Sequence, residues 1–454
     1  MTEMADLLLV NGTLVTPDQT WKGCVGIKDG KILCLLNEGA SIPAKKVIDV
    51  EGNYVLPGAM DPHVHFQDPG FTQREDFAHG TMAAAAGGIT TVLSHPLDHP
   101  PTTSFAALKK KEEAYAGNAY VDYGIHIGAT RENIGEIERL WKETGATAIK
   151  MFMCFSVKEF PYVEKTQLRR ILELIGKMGG LAIIHAEDNA IIEKMERNVK
   201  ASSAKDGRAY NQTHPKEAEI AAIREVLDLL KETKAKAVIL HVSTAEGLRL
   251  IHQARKQGIQ VYAESAPHLF QFTEEDMDEK GPYLKFSPVM HDRKNQKEMW
   301  DLLGKGYVDY IGSDHSPYTK AEKDAGLDDI WKAPNGIPGI ETSLAVFLNG
   351  VNEGRLTLNQ LAAMTSRNPA RIYGLEPEKG NMVPGADADF TIVDMNLEKC
   401  ISPNELKSKC KWSPYTDVKL KGWPVMTIVR GRLVYDHGNI VGEKGYGRYI
   451  KRKK

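Results

Sequence analysis

The chain has 454 residues, of which 42% are hydrophobic, 26% charged and 7% aromatic, with 40 glycines and 22 prolines. This is ordinary globular composition, which argues against a disordered, collagen-like or coiled-coil chain, and the length suffices for one large domain plus a smaller one. A net charge of -2 supplies no bulk field for nucleic acid or an anionic membrane, and no stretch approaches the ~20 apolar residues of a membrane span.

The start, Met1-Thr2-Glu3-Met4-Ala5-Asp6, has no basic segment ahead of a signal-type apolar core. Cys24, Cys34, Cys154, Cys400 and Cys410 are scattered and form no C-x-x-C, so they read as reduced thiols of a soluble cytoplasmic protein. The basic tail Lys451-Arg452-Lys453-Lys454 reads as a solvated end.

The first ~55 residues read as β structure. Leu7–Val10 runs through Asn11-Gly12 into Thr13–Val15, and Cys24–Ile27 runs through Asp29-Gly30 into Lys31–Leu33. Both dipeptides between apolar runs predict hairpins. The pattern returns at Asp389–Val393 and Val425–Val429. The ends, 1–54 and 380–454, are therefore expected to build one small β-sandwich domain.

Between them, short apolar strands alternate with helical patterns, which predicts an α/β fold with a parallel sheet. Strands are expected at Ala59–Val64, Ile89–Ser94, Val121–Ile127, Thr147–Phe152, Leu181–His185, Ala237–His241, Ile259–Glu264 and Val308–Ser313. Helical periodicity marks Gln167–Lys177, Glu217–Lys231 and Glu246–Lys256. Eight such units over 55–379 match a (β/α)8 TIM barrel. The competing open doubly wound sheet usually carries a Gly-rich phosphate loop, and no such motif is present.

Barrel enzymes place their sites at the C-terminal ends of the strands. Those ends carry His63 and His65, Lys150, His185, His241 and Asp314. Each alone reads as a packed or solvated residue, but together they predict one mouth. Residues two apart on a strand share a face, so His63 and His65 can hold one ion. Imidazole and carboxylate suit zinc, cobalt, manganese or iron. Two such ions can share a hydroxide that attacks a carbonyl, with an aspartate moving its proton to a leaving nitrogen. No G-x-S-x-G elbow offers a rival nucleophile, and Cys154 reads as a packing residue near the site. His95 and His99, set among prolines, read as loop residues with or without substrate contact. Glu187, Asp188, Glu264 and His315 read as orienting neighbours or strand-end charges.

These residues resemble the amidohydrolase superfamily, in its cyclic-amidase branch of hydantoinases, dihydropyrimidinases, allantoinases and dihydroorotases. The motifs are Val55-Leu56-Pro57-Gly58-Ala59-Met60-Asp61-Pro62-His63-Val64-His65, Ala86-Gly87-Gly88-Ile89-Thr90-Thr91, His185-Ala186-Glu187, His241-Val242-Ser243, Asn335–Thr342 and Gly385–Asp389. The resemblance spans essentially the whole chain. It implies that His63, His65 and Asp314 bind one divalent ion and His185 and His241 another, with Lys150 carboxylated by CO2 as the bridge. It also implies that Asp314 shuttles the proton, that backbone groups of Ser287 and Asn335 hold the ring's amide edges, and that the protein is a homotetramer.

Gln67 stands where dihydroorotases carry a carboxylate-clamping Arg, which disfavours a charged substrate. Phe155 stands where dihydropyrimidinases and D-hydantoinases carry an oxyanion-steadying Tyr. Pro96-Leu97, Pro100-Pro101-Thr102, Ser313–Pro317, Lys411–Tyr415 and Gly445–Tyr449 look most like allantoinases and L-hydantoinases. Gly339-Ile340-Glu341-Thr342 leans to the hydantoinase side. The expected substrate is a neutral five-membered cyclic ureide, with dihydroorotase or dihydropyrimidinase activity as alternatives. A non-catalytic assembly protein of the same superfamily is the alternative of another class, and such proteins typically lose ligands that are all present here.

Overall fold

Eight parallel strands succeed one another around a barrel in the computed structural model, which describes residues 4–157 and 160–453. They are β1 (Ala59–Val64), β2 (Ile89–Ser94), β3 (Asp122–Ile125, resumed at Ile127–Gly128) and β4 (Ile149–Phe152). β5 (Leu181–His185), β6 (Lys236–Ile239), β7 (Val261–Ser265) and β8 (Tyr310–Ile311) follow. The first half of β3 pairs with β2 and the second half with β4. A parallel bridge between Val64 and His315 links the β8 end to β1 and closes the ring.

β3 breaks at His126, whose ring reaches Pro62 O at 3.1 Å and Thr147 Oγ1 at 2.9 Å. Every residue of β1, β2 and β5 is buried, as expected for parallel strands covered on both faces. The predicted helices lie at Lys165–Met178, Lys216–Thr233 and Ala245–Lys256. In the first, Leu168, Ile171, Leu172 and Ile175 form the buried stripe that the 3.6-residue period requires.

Both chain ends build one continuous nine-stranded sheet. Strand Tyr54–Pro57 joins them, pairing parallel with Ala5–Val15 and antiparallel with Phe390–Lys399. Leu7, Leu9, Val25, Ile27, Phe390, Ile392 and Ile428 make its core. At Asp29-Gly30 the expected hairpin forms: Lys28 pairs with Lys31, and both turn residues take positive φ (51° and 74°).

The hairpin expected at Asn11-Gly12 does not form. Ala5–Val15 is one strand, and the dipeptide sits in it as a bulge between Leu9 and Gly12. Left-handed backbone at Asn11 (φ 58°) serves a bulge as well as a turn, and Asn11 Nδ2 is held by Asp49 Oδ2 at 2.7 Å.

Lys379 ties the sheet to the barrel. Its buried ammonium lies 2.6 Å from Asp122 on β3, 3.0 Å from Asp387 and 2.7 Å from Asp389. Beyond the sheet, the chain returns to β3: Tyr123 N donates to Arg448 O at 3.0 Å and Ile450 N to Tyr123 O at 2.7 Å. The described part of the basic tail, Lys451–Lys453, therefore continues from a docked segment.

Candidate metal centre

β1 runs out into His63 and His65, whose Nε2 atoms both face Oδ1 of Asp314, at 3.1 and 3.4 Å. Asp314 follows β8, so three residues from the two ends of the barrel sequence meet where the ring closes. His63 is anchored from behind, its Nδ1 2.6 Å from Glu264 Oε1 on β7. Tyr310 of β8 donates to the other oxygen of that carboxylate at 2.7 Å. This carboxylate fixes the ring's orientation and tautomer.

His185, the last residue of β5, sets Nδ1 3.0 Å from Nε2 of His241, just past β6. Glu187 Oε2 lies 2.6 Å from His185 Nε2, and Oε1 lies 2.8 Å from His214 Nδ1. Lys150 on β4 is buried with its ammonium 4.3 Å over the Phe152 ring. All six predicted ligands line one cavity of about 360 Å³, and Gln67, Phe155, Ser287 and Asn335 line it as well. Ser287 Oγ donates to Glu187 Oε2 at 2.7 Å, Gln67 Oε1 faces Arg74 NH1 at 3.5 Å, and Phe155 is 63% exposed at the rim.

The donors suit a divalent cation. Ligand atoms of His63, His241 and Asp314 lie within 4.8 Å of one another, as do those of His63, His65 and His95 and those of Cys154, His185 and Glu187. Nδ1 of His241 is buried with no hydrogen-bond partner among the described residues. His241 thus stands between the His63–Asp314 pair and His185. The sequence-based grouping joined it to His185 alone, and the structure brings it to both.

Charge is distributed unevenly over these rings. Burial pulls the His63 imidazole down, but Glu264 and Asp314 outweigh it and lift the group to about 9. Burial takes His65 down to about 4 despite Asp314. Burial alone would raise Asp314, yet His63 and His65 hold its carboxyl well below the usual range. Burial pushes the Lys150 ammonium down to about 7 against the pull of Asp314 and Glu264. Three cavity residues also hold left-handed backbone: Gln67 (φ 60°), His241 (φ 35°) and Asp314 (φ 49°). Such strain, about 1–3 kcal/mol each, persists where surrounding structure over-determines it.

His95 is the first residue of the loop after β2, and it stays bonded to the neighbouring strand, its N–H donating to Val64 O at 2.9 Å. Its ring stacks on His63 with centroids 3.8 Å apart, and neither ring nitrogen has a hydrogen-bond partner among the described residues. The available signal was its place directly after a predicted strand, at the same barrel end as the other histidines. Arg74 also lines the cavity, and nothing in the local sequence pattern marks it. Cys154 is buried beside His185 and Glu187. No helix among the described residues is long and apolar enough to cross a membrane.

A model of the amidohydrolase family matches residues 54–434. An L-hydantoinase of Paenarthrobacter aurescens is 35% identical over 453 residues, 99% of each chain. An allantoinase of Desulfitobacterium hafniense is 33% identical over 451 residues, 98% of each. The solved L-hydantoinase (dihydropyrimidinase) from Arthrobacter aurescens superposes with a TM-score of 0.95 at 35% identity, covering 100% of both chains.

Proposed function

This chain belongs to the amidohydrolase family, and we propose that it hydrolyses the ring amide bond of a neutral cyclic ureide, a hydantoin or allantoin. The observation that carries this reading is the convergence of His63, His65, Lys150, His185, His241 and Asp314 on one cavity. The hydantoinase and allantoinase relatives support the substrate class.

In this reading His63, His65 and Asp314 hold one divalent ion and His185 and His241 a second, zinc first, with cobalt, manganese or iron suited to the same donors. Lys150, if carboxylated by CO2, would supply an anionic ligand to these ions. Its depressed basicity supports that step, because the uncharged amine is the form that adds CO2. When bound, such ions lower the pKa of water and polarise a carbonyl. Asp314, held ionised, takes the proton of the attacking water and delivers it to the leaving ring nitrogen.

The Ser287 hydroxyl is committed to Glu187, which leaves the main chain of Ser287 and Asn335 to hold the ring's amide edges. Gln67 offers no guanidinium to a substrate carboxylate, and Phe155 no phenol to an oxyanion. The five cysteines are all free thiols, in keeping with a cytoplasmic protein, and family resemblance supports a homotetramer. The barrel of 55–379 would carry the chemistry, with 1–54 and 380–454 as its companion domain.

The test is ring-opening activity of metal-replete protein on allantoin, L- and D-5-substituted hydantoins, dihydrouracil and dihydroorotate. Turnover of hydantoins or allantoin is expected. Preference for dihydroorotate would overturn the inference from Gln67, and preference for dihydrouracil the inference from Phe155. Less than one ion per chain after metal-replete growth, with no turnover, would leave the non-catalytic reading standing.

A further inference from the structure

Lys323 lies in the short helix Lys320–Asp324, and its side chain is fully buried. It forms no ion pair among the described residues. Its Nζ instead donates to three main-chain oxygens: Lys285 at 3.2 Å, Pro334 at 3.0 Å and Gly336 at 2.9 Å. Three acceptors match the three N–H groups of an ammonium one to one. Nζ also lies 5.8 Å over the Trp412 ring. Burial, with Lys285 nearby, pulls the group's basicity well down, so a charged amine persists here only by virtue of such a set of carbonyl dipoles.

These oxygens belong to two segments that reach the metal-ligand cavity from different parts of the chain. Phe286 and Ser287 line the cavity from one, and Pro334, Asn335 and Gly336 from the other, while Lys323 stands behind the lining. Gly336 N also donates to Lys285 O at 3.0 Å, so one carbonyl serves both the lysine and the facing segment. The Lys285 ammonium repeats the pattern on Ile330 O at 2.9 Å and Ala333 O at 2.6 Å. Gly336 is hemmed in from the β8 end as well. With φ 144°, a Cβ there would meet Ser316 O at 2.6 Å and Tyr318 Cε2 at 2.7 Å. Between these ties, the main-chain groups of Ser287 and Asn335 take no main-chain partner among the described residues.

We propose that Lys323 is a positioning residue for the substrate: by gathering the Lys285, Pro334 and Gly336 carbonyls on one ammonium, it sets the spacing between the main chains of Ser287 and Asn335. This inference rests on the reading that those main chains hold a ring's amide edges. Two edges of one ring are held together only where the groups that meet them stand at a fixed separation, and a misplacement of about 1 Å costs about 10²-fold in rate. One buried cation bonded to both segments fixes that separation without touching the ring. An apolar side chain of the same length would fill the space but leave three carbonyls short of a donor.

The test compares Lys323→Met and Lys323→Gln with the unaltered protein, all metal-replete, on whichever of hydantoin and allantoin the unaltered protein opens faster. Lys323→Met is expected to raise KM at least about tenfold, with kcat within about threefold and metal content unchanged. Lys323→Gln keeps two donors and should fall between the other two proteins. An unchanged KM in Lys323→Met, even with lowered thermal stability, would reduce the lysine to a structural anchor and overturn the proposal. Loss of metal along with turnover would overturn it too, since the effect would then run through the metal centre. Absence of ring opening by the unaltered protein overturns the underlying reading and the proposal with it, and is seen before any variant is compared. Should both variants fail to fold, hydrogen exchange of the unaltered, ligand-free protein decides. The Gly336 amide is expected to exchange slowly, and free exchange there refutes a spacing held in place by Lys323.

Discussion

Gly312 sits between β8 and Asp314, and one added methyl group there tests how tightly the His63 anchor is built. A Cβ at this position would lie 2.7 Å from His63 Cβ, 2.9 Å from the Glu264 carboxyl carbon and 3.1 Å from Glu264 Oε1. These are the two groups whose 2.6 Å contact orients the imidazole. Neither has room to yield, since both are essentially fully buried and Glu264 is tied to Tyr310 as well. Overpacking of this kind costs about 1–3 kcal/mol in stability. Displacing a group that orients a ligand lowers metal affinity about 10–100-fold, or roughly 1.4–2.7 kcal/mol. Gly312→Ala is therefore expected to bind metal at least about tenfold more weakly, read by competition with a chromophoric chelator, and to lose kcat/KM at limiting metal. Gly135→Ala, where a Cβ meets nothing within 4 Å, serves as the control and should match the unaltered protein. A folded Gly312→Ala protein with unchanged metal affinity and turnover would show that the anchor does not govern the site.

Asp314→Asn should retain much of its metal, because Oδ1 survives as a donor, but kcat should fall about 10²–10⁴-fold, roughly 2.7–5.4 kcal/mol, with loss of the proton carrier; near-normal kcat at full metal content would refute that role. Lys379→Met leaves Asp122, Asp387 and Asp389 buried together, and breaking such a network by removing one partner costs about 3–5 kcal/mol. Thermal unfolding should drop by several degrees, and an unchanged midpoint would mean that the three carboxylates find other partners. Burial lifts Glu341 to about 7, against the backbone N–H groups of Ser408 and Lys407. The folded state therefore holds this proton more tightly than the unfolded state. Its contribution is full below the unfolded value and is lost as pH rises to about 7, a swing of about 3 kcal/mol. Denaturation of the unaltered protein and Glu341→Gln at pH 5 and pH 8 should show that swing only in the former, and equal pH slopes would refute it.

Where the chemistry of a segment is decided locally, the sequence is readable. Ile89–Ser94 is rich in β-branched residues and Leu181–Ile184 is an unbroken apolar run ending in His185, and both segments form strands with the expected bounds. The candidate site was legible because barrel geometry converts strand-end position into spatial neighbourhood, which is why ten residues spread from His63 to Asn335 line one cavity. What stayed hidden depends on partners distant in sequence. Asn11-Gly12 has the backbone preferences of a hairpin, but parallel pairing of the same strand with Ala44–Asp49 and Tyr54–Pro57 keeps it extended through a bulge. His95 is the loop residue that the sequence suggests, but only the closed ring reveals that its side chain stacks on His63. The basic tail carries no periodicity, and its docking rests on β3 and Trp141, more than three hundred residues earlier.

Several of the charges around the catalytic cavity arrive already paired, and this bears on what can enter it. Asp98 is met by Lys111 at 2.6 Å, and Glu187 by both His185 and His214. The one guanidinium on the wall among the described residues, Arg74, would be the natural substitute for the clamp that Gln67 does not supply. It is already spent: Nε and NH2 reach Glu322 Oε1 at 2.8 and 2.7 Å, and its face is covered by Phe71 at 4.5 Å and Tyr318 at 4.4 Å. A substrate carboxylate would find only NH1, which already faces Gln67 Oε1 at 3.5 Å, unless it displaced Glu322 from a partly buried ion pair, and breaking such pairs is costly. A neutral ring has no such requirement. Its amide edges need only hydrogen bonds, and in the reading proposed above its substituent would meet Phe71, Phe152, Phe155 and Phe160, which line the cavity wall. In the proposed reading, the pairing that stabilises the walls would disfavour charge in the substrate, with Gln67 facing the remaining nitrogen of Arg74.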